Sequence, residues 1–212
     1  ERGWMESYDI IFVGSQFFRD KLLEGVEECN SKIMITSNPW NYDEARKMVG
    51  DYEKKRQIIF PNRFDYEKRP DKFLELALIL ANEDPSINFV ITTSRPNMKG
   101  SHLWLNKLYQ AVQKALGDSI SFEYGLSKPE YYKILAESQV MFSSSIFESY
   151  GYCPIEAMTF GTIPIVPNKY SYKETCPWEW RYNDMDDAIE KCLKALDHKV
   201  RYGMADGDFY FD

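Results

Sequence analysis

The feature that most constrains this chain is a rhythm of short apolar runs alternating with helical patterns. "YDIIFVG" (8–14), "KIMIT" (32–36), "QIIFP" (57–61), "INFVITTS" (87–94), "SISFEYG" (119–125), "QVMFSSS" (139–145) and "TIPIVP" (162–167) are rich in β-branched and aromatic residues and read as strands. Between them, 15–26, 69–83, 101–117, 127–138 and 154–161 carry apolar residues at helical spacing, and a last helix is expected over 183–198. Ser15 is placed as an N-cap, Pro70 as a first-turn proline, and Ser127 with Glu130 as a capping box. Strands that are apolar on both faces must be covered on both faces. The expected fold class is therefore α/β, a parallel sheet with helices on both sides. Residues 37–56 are polar, include Pro39, and read as a linker with one short helix.

Composition narrows the function classes. With 44% apolar and 16% aromatic residues in 212, the chain can bury a sizeable core. A net charge of −7 disfavours nucleic acid as a ligand held by this stretch alone. Four separated cysteines without a CxxC pair suit reduced thiols and a cytoplasmic location. Two histidines make a His-rich metal site implausible, and no apolar run reaches the length of a membrane span. The start at Glu1 rather than Met suggests a piece of a longer chain.

Ligands of parallel sheets bind beyond the carboxyl ends of the strands, so the loops after strands hold the candidates. In "PNRFDYEKRP" (61–70), Arg63 offers a rigid fork of donors and Lys68 a mobile point charge, a combination suited to a diphosphate. The alternative is that both cations pair with Asp65 and Glu67. In "FESYGYCPIEAMTFGTIPIVPNK" (147–169), Gly151 and Pro154 stand at the mouth of a helix whose free N–H groups form an anion site. Glu156, expected in the first turn, can accept from a vicinal diol such as that of ribose, and Glu148 from hydroxyls of a second group. The alternative is that both glutamates only interact with the helix dipole.

The spacing of Glu148 and Glu156, an E-x7-E motif, within "FESYGYCPIEAMTFGTIPIV" resembles the donor site of retaining glycosyltransferases of the GT-B fold, family 4-like (group 1). "IIFPNRFDYEKRPDKFLELA" and "ISFEYGLSKPEYYKILAESQVMFSSS" resemble two further segments of that family, in the expected order. The resemblance covers about residues 57–198. It implies a Rossmann-like, nucleotide-sugar-binding carboxyl-terminal domain over 51–212, preceded in 1–50 by a remnant of the acceptor domain and the interdomain linker. It implies transfer of a hexose from a nucleoside diphosphate sugar to an acceptor hydroxyl, with retention, without a cofactor or essential metal. By the same resemblance Arg63, Lys68 and Glu148 are the catalytic group. Arg63 and Lys68 would bind the diphosphate, Glu148 would face the transferred sugar, and Glu156 would bind the ribose. Ser149, Tyr150, Gly151 and Tyr152 would line the phosphate and sugar pocket, and Tyr124, Gly125 and Leu126 would meet the base. The partner is a nucleotide-sugar donor. The acceptor stays open among glycan, lipid, protein and modified nucleic acid. "PNRFDYEKRP" and "VPNKYSYKE" also resemble a branch that transfers mannose to a modified tRNA nucleoside. A non-catalytic nucleotide-sugar-binding domain and a nucleotide-sugar epimerase of the same fold are the alternatives.

The chain departs from the family pattern at Thr159-Phe160, where small residues are usual, and in two further places. Asn62 stands where glycine usually precedes the arginine, and "TTSRPN" replaces a glycine after strand 87–93, bringing in Arg95 as an extra cation. Asp184-Met185-Asp186 reads as a helix start and Asp206-Gly207-Asp208 as a chain end rather than as metal motifs. His102 and His198 are read as surface or boundary residues, and 176–184 as a packed loop or an interdomain face. Tyr131 and Tyr132 are read as core-facing helix positions without a functional role.

Overall fold

The computed structural model describes residues 5, 7–25, 27–93 and 103–198. A small two-stranded unit comes first. Strands β1 (Ile11–Val13) and β2 (Ile33–Ile35) pair in parallel, with helix α1 (Gln16–Leu23) between them. The α1 N-cap is Ser15, whose side chain accepts from the Phe18 N–H. Only β1's Val13 is buried, while Phe12 is 63% exposed, so this strand shows one face outward instead of being buried on both.

The polar stretch after it forms helix α2 (Tyr42–Val49), capped by the Asn41 side chain. It is less detached than a linker. Trp40 donates from its indole to Thr159 Oγ1 at 2.9 Å, and the Tyr52 hydroxyl donates to the Phe160 carbonyl at 2.9 Å. Ala45 is buried in a cluster with Tyr132, Ala136 and Phe160 of the main domain.

The main domain carries β3 (Lys55–Phe60), α3 (Pro70–Glu83), β4 (Asn88–Thr93), α4 (Leu103–Leu116), β5 (Ile120–Tyr124) and α5 (Lys128–Glu137). These are followed by β6 (Ser138–Phe142), α6 (Tyr152–Thr159), β7 (Ile163–Pro167), α7 (Tyr172–Thr175), β8 (Arg181–Tyr182) and α8 (Met185–Asp197). All six strands are parallel, in the order β5-β4-β3-β6-β7-β8. Because side chains alternate across a strand, Ile58 and Phe60 of β3 join one core with Phe89, Ile91, Val140, Phe142, Ile163 and Ile165, while Ile59 joins the other with Val90, Met141 and Val166. Residues of α3, α4 and α8 close the first core, and those of α2, α5, α6 and α7 the second.

Local signals explain the ends of these elements. Pro70 starts α3, and the Ser127 N–H and hydroxyl both donate to Glu130 at the start of α5. Asp184 caps α8 by accepting from the Asp187 N–H, which makes the 184–186 acids a helix start as read. The 176–184 loop corrects its reading. It contains a short 3-10 turn and the edge strand β8, whose Tyr182 stacks on Phe142 at 5.6 Å. Arg95, His102 and Asp206-Gly207-Asp208 lie outside the described residues.

Candidate functional site

Strand order reverses between β3 and β6. Strands β4 and β5 extend the sheet on one side, and β7 and β8 on the other. Loops leaving two such neighbours diverge and open a crevice at their carboxyl ends. The loops are 61–69 and 143–151, which contain most of the residues singled out in the sequence.

The two loops are tied together. Ser144 Oγ donates to the Lys68 carbonyl at 3.0 Å and to that of Arg69 at 2.7 Å, and the Ile146 N–H donates to the Glu67 carbonyl at 2.9 Å. Cys153 Sγ donates to the Pro61 carbonyl at 3.3 Å, and burial pushes its thiol up to about 12. Asp65 caps a 3-10 turn at 66–68 and so fixes the Lys68 backbone. The Lys68 Nζ then lies 3.0 Å from Glu148 Oε2 and 3.5 Å from Glu67 Oε1. Both partners are largely shielded, with side chains 11% and 19% exposed for Lys68 and Glu148. Shielding strengthens their interaction with each other and with any charge brought between them. Glu148 is held in turn by its backbone, whose carbonyl accepts from Ser171 Oγ at 3.0 Å.

Arg63 lies on the rim, exposed, and pairs with Asp65 at 3.1 Å and Glu67 at 3.4 Å. The ion pairs weighed for this loop thus form for both cations, Arg63 with Asp65 and Glu67 and Lys68 with Glu67, and Lys68 in addition turns inward to Glu148. Such exposed pairs are worth little and leave the guanidinium available. Asn62 is 5% exposed, and its Nδ2 has no hydrogen-bond partner among the described residues.

Helix α6 begins at Tyr152, with Gly151 as N-cap at φ 88° and no acid in its first turn. The left-handed backbone suits glycine, and a Cβ here would come within 3.2 Å of the Tyr172 ring. Pro154 is the third helical residue and Glu156 the fifth, so Glu156 sits in the second turn and not the first. It leans toward α5. Tyr131 Oη donates to its Oε2 at 2.9 Å, and Tyr132 Oη to its Oε1 at 3.4 Å. Burial raises the Glu156 carboxyl, while the two phenols and Lys128 oppose that shift. The tyrosines are the contacts that sequence reading missed. Their apolar rings fit a core helix, and nothing local shows which residue lies opposite.

Ser149 and Tyr150 face the small unit. The Ser149 carbonyl accepts from Ser15 Oγ at 2.5 Å, and Tyr150 Oη donates to the Asn38 carbonyl at 3.4 Å. Tyr150 also meets Tyr152 edge-on at 5.3 Å. Tyr124 ends the edge strand β5, 54% exposed, followed by Gly125 and Leu126. The structure thus brings Lys68, Glu148 and Gly151 to one crevice, with Arg63 at its rim and Glu156 on its α5 side.

Three comparisons bear on this arrangement. Residues 41–177 match the model of a family described as Glycosyl transferases group 1. A Drosophila melanogaster protein named tRNA-queuosine alpha-mannosyltransferase is 27% identical over 160 residues, covering 76% of this chain and 41% of that protein. The structure of a Staphylococcus aureus TarM mutant in complex with fondaparinux, alpha-GlcNAc-glycerol and UDP superposes at TM-score 0.77 with 18% identity, covering 94% of this chain and 39% of that one. A UDP-forming alpha,alpha-trehalose-phosphate synthase from Burkholderia xenovorans superposes at 0.75 with 14% identity, covering 93% of this chain and 55% of that one. At these identities the superpositions speak to the fold, a Rossmann-like α/β domain. The chain spans about two fifths of the length of that Drosophila relative.

Proposed function

This chain belongs to the glycosyl transferases group 1 family, and from that premise we propose that it binds a nucleoside diphosphate sugar in the β3/β6 crevice. The intact enzyme then transfers the hexose to an acceptor hydroxyl with retention. The observation that carries this reading is the shielded Lys68–Glu148 pair at 3.0 Å, which joins the loop carrying the exposed Arg63 to the loop that leads into the acid-free start of α6.

Each group has a chemical task. As the bond to the anomeric carbon breaks, negative charge grows on the leaving diphosphate and positive charge on the sugar. Lys68, Arg63 and the N–H groups at the start of α6 neutralise the first, and can do so without a metal ion. Glu148 faces the second and orients the sugar hydroxyls. Departure and attack on one face, assisted by the leaving phosphate, give retention without a carboxylate pair acting as hydrolytic acid and base. Glu156 takes the ribose, and Tyr124, Gly125 and Leu126 border the base.

We further propose mannose as the sugar and a modified tRNA nucleoside as the acceptor. The Drosophila relative's name supports this, as do the segments around Arg63 and Lys169 that resemble the same branch. The net charge of −7 disfavours a tRNA-holding surface made by this stretch alone.

Calorimetric titration of the 212-residue chain with UDP, GDP and ADP tests the donor site. One nucleotide is expected to bind, tenfold or more weaker in Arg63→Ala and in Glu156→Ala. Glu148→Ala is expected to retain nucleotide binding and to lose transfer in the full-length enzyme. A folded chain that binds none of the three overturns the assignment.

A further inference from the structure

Glu156 is an acceptor with part of its capacity already used. An ionised carboxylate offers two oxygens and about four lone-pair positions. Tyr131 occupies one position on Oε2 and Tyr132 one on Oε1. No other hydrogen bond to either oxygen is seen among the described residues, and the residue is only half-buried. One position therefore remains on each oxygen, the demand of a vicinal diol donating from both hydroxyls.

The two phenols are themselves fixed. Tyr132 is 1% exposed, edge-on to Trp40 at 5.9 Å and tilted against Phe160 at 5.5 Å. Tyr131 lies against Tyr132 at 5.5 Å. The Lys128 ammonium sits over the rings of Trp40 and Tyr132, at 5.8 and 5.5 Å. Its charge opposes the rise that burial imposes on the Glu156 carboxyl. Trp40 is anchored to α6 by its own hydrogen bond to Thr159. The carboxylate is thus clamped from α5 before any ligand arrives.

We propose that Tyr131 and Tyr132 are positioning residues for ribose recognition: they fix the Glu156 carboxylate so that its two free positions read a 2′,3′-diol and reject a sugar that lacks either hydroxyl. This rests on the nucleotide-sugar reading above. Preorganisation is what makes such a site selective, because a carboxylate free to rotate could satisfy one hydroxyl as well as two. Tyr131, with the shorter contact, carries more of the effect.

The test compares UDP with 2′-deoxy-UDP, and GDP with 2′-deoxy-GDP, by calorimetry on the 212-residue chain and its Tyr131→Phe, Tyr132→Phe and Arg63→Ala variants. The wild-type chain is expected to prefer the ribonucleotide at least tenfold. Tyr131→Phe should cut that ratio below about threefold and Tyr132→Phe should reduce it less, while Arg63→Ala weakens both forms equally and leaves the ratio intact. A merely structural tyrosine would lower both affinities together. Unchanged ratios in both folded tyrosine variants overturn the inference while leaving the nucleotide site standing. A wild-type chain that binds none of the four nucleotides overturns the site and the inference with it.

Discussion

Lys54 shows how one residue's position in the sheet sets a property its sequence neighbours do not announce. It precedes β3 at the end of the sheet opposite the crevice, and its Nζ donates to the Ser138 carbonyl at 2.7 Å and to Thr162 Oγ1 at 2.6 Å. Burial pushes its ammonium down to about 7. A free lysine titrates near about 10.4, so between pH 7 and 10 the unfolded chain holds a proton that the folded chain has released. Stability therefore rises with pH across that window, by at most about 1.4 kcal/mol per unit from this group. Below pH 7 both states are charged and the desolvation cost is felt in full. Urea denaturation at pH 7, 8 and 9 should show the wild type gaining on Lys54→Met as pH rises. A constant difference would place the ordinary ammonium there. At the same scale, Lys68 and Arg63 are five positions apart in one loop yet differ in kind, one turned inward to Glu148 and one on the rim.

Among the elements, α6 is the one whose geometry the site depends on most. It is only eight residues long, and its start is set by Gly151 rather than by a capping side chain. An Asp or Ser cap would place an oxygen where the proposed donor phosphate would approach. Gly151→Ala forces a Cβ into the left-handed region and against Tyr172, whose hydroxyl shares a hydrogen bond with Ser143 at 2.9 Å. The expected cost is about 1–3 kcal/mol in urea denaturation, with nucleotide affinity falling at least tenfold. Normal affinity in a destabilised variant would separate the cap from the phosphate site. The end of this helix is better determined locally, because Gly161 and the strand-forming "TIPIV" allow no further turn.

On the scale of the whole molecule, the small β1–α1–β2 unit is joined to the main domain at the crevice itself. The backbone N–H groups of Gln16 and Phe17 both donate at 2.8 Å to the carboxylate of Glu174, which lies on α7. Phe17 packs on Phe147 and Tyr170 at 5.8 and 5.7 Å. A Cβ on Gly14 would fall 2.9 Å from the Tyr150 ring, so the two parts meet at near-backbone contact. Glu174 acts as a helix cap supplied from the other part of the molecule. Glu174→Ala is expected to cost about 0.5–2 kcal/mol, read as faster hydrogen exchange in α1 with exchange in β3 and β6 unchanged. Acceleration throughout the sheet would show instead that both parts unfold as one.

The sequence by itself determined the fold class. Strands apolar on both faces admit few arrangements other than a covered parallel sheet, and Ile58, Ile59 and Phe60 divide between the two cores as period-two alternation requires. It also marked the two candidate loops, because ligands of parallel sheets bind beyond the carboxyl ends of the strands and both loops leave such ends. It could not determine partners across long separations. The Lys68–Glu148 pair spans 80 positions, the Tyr131 contact to Glu156 spans 25, and Glu174 reaches α1 over more than 150. Short strands such as β8, only two residues long, leave no periodic signal to read. Those pairings follow from strand order. Placing β6 beside β3 sets loop 143–151 over loop 61–69, and only the tertiary structure carries that order.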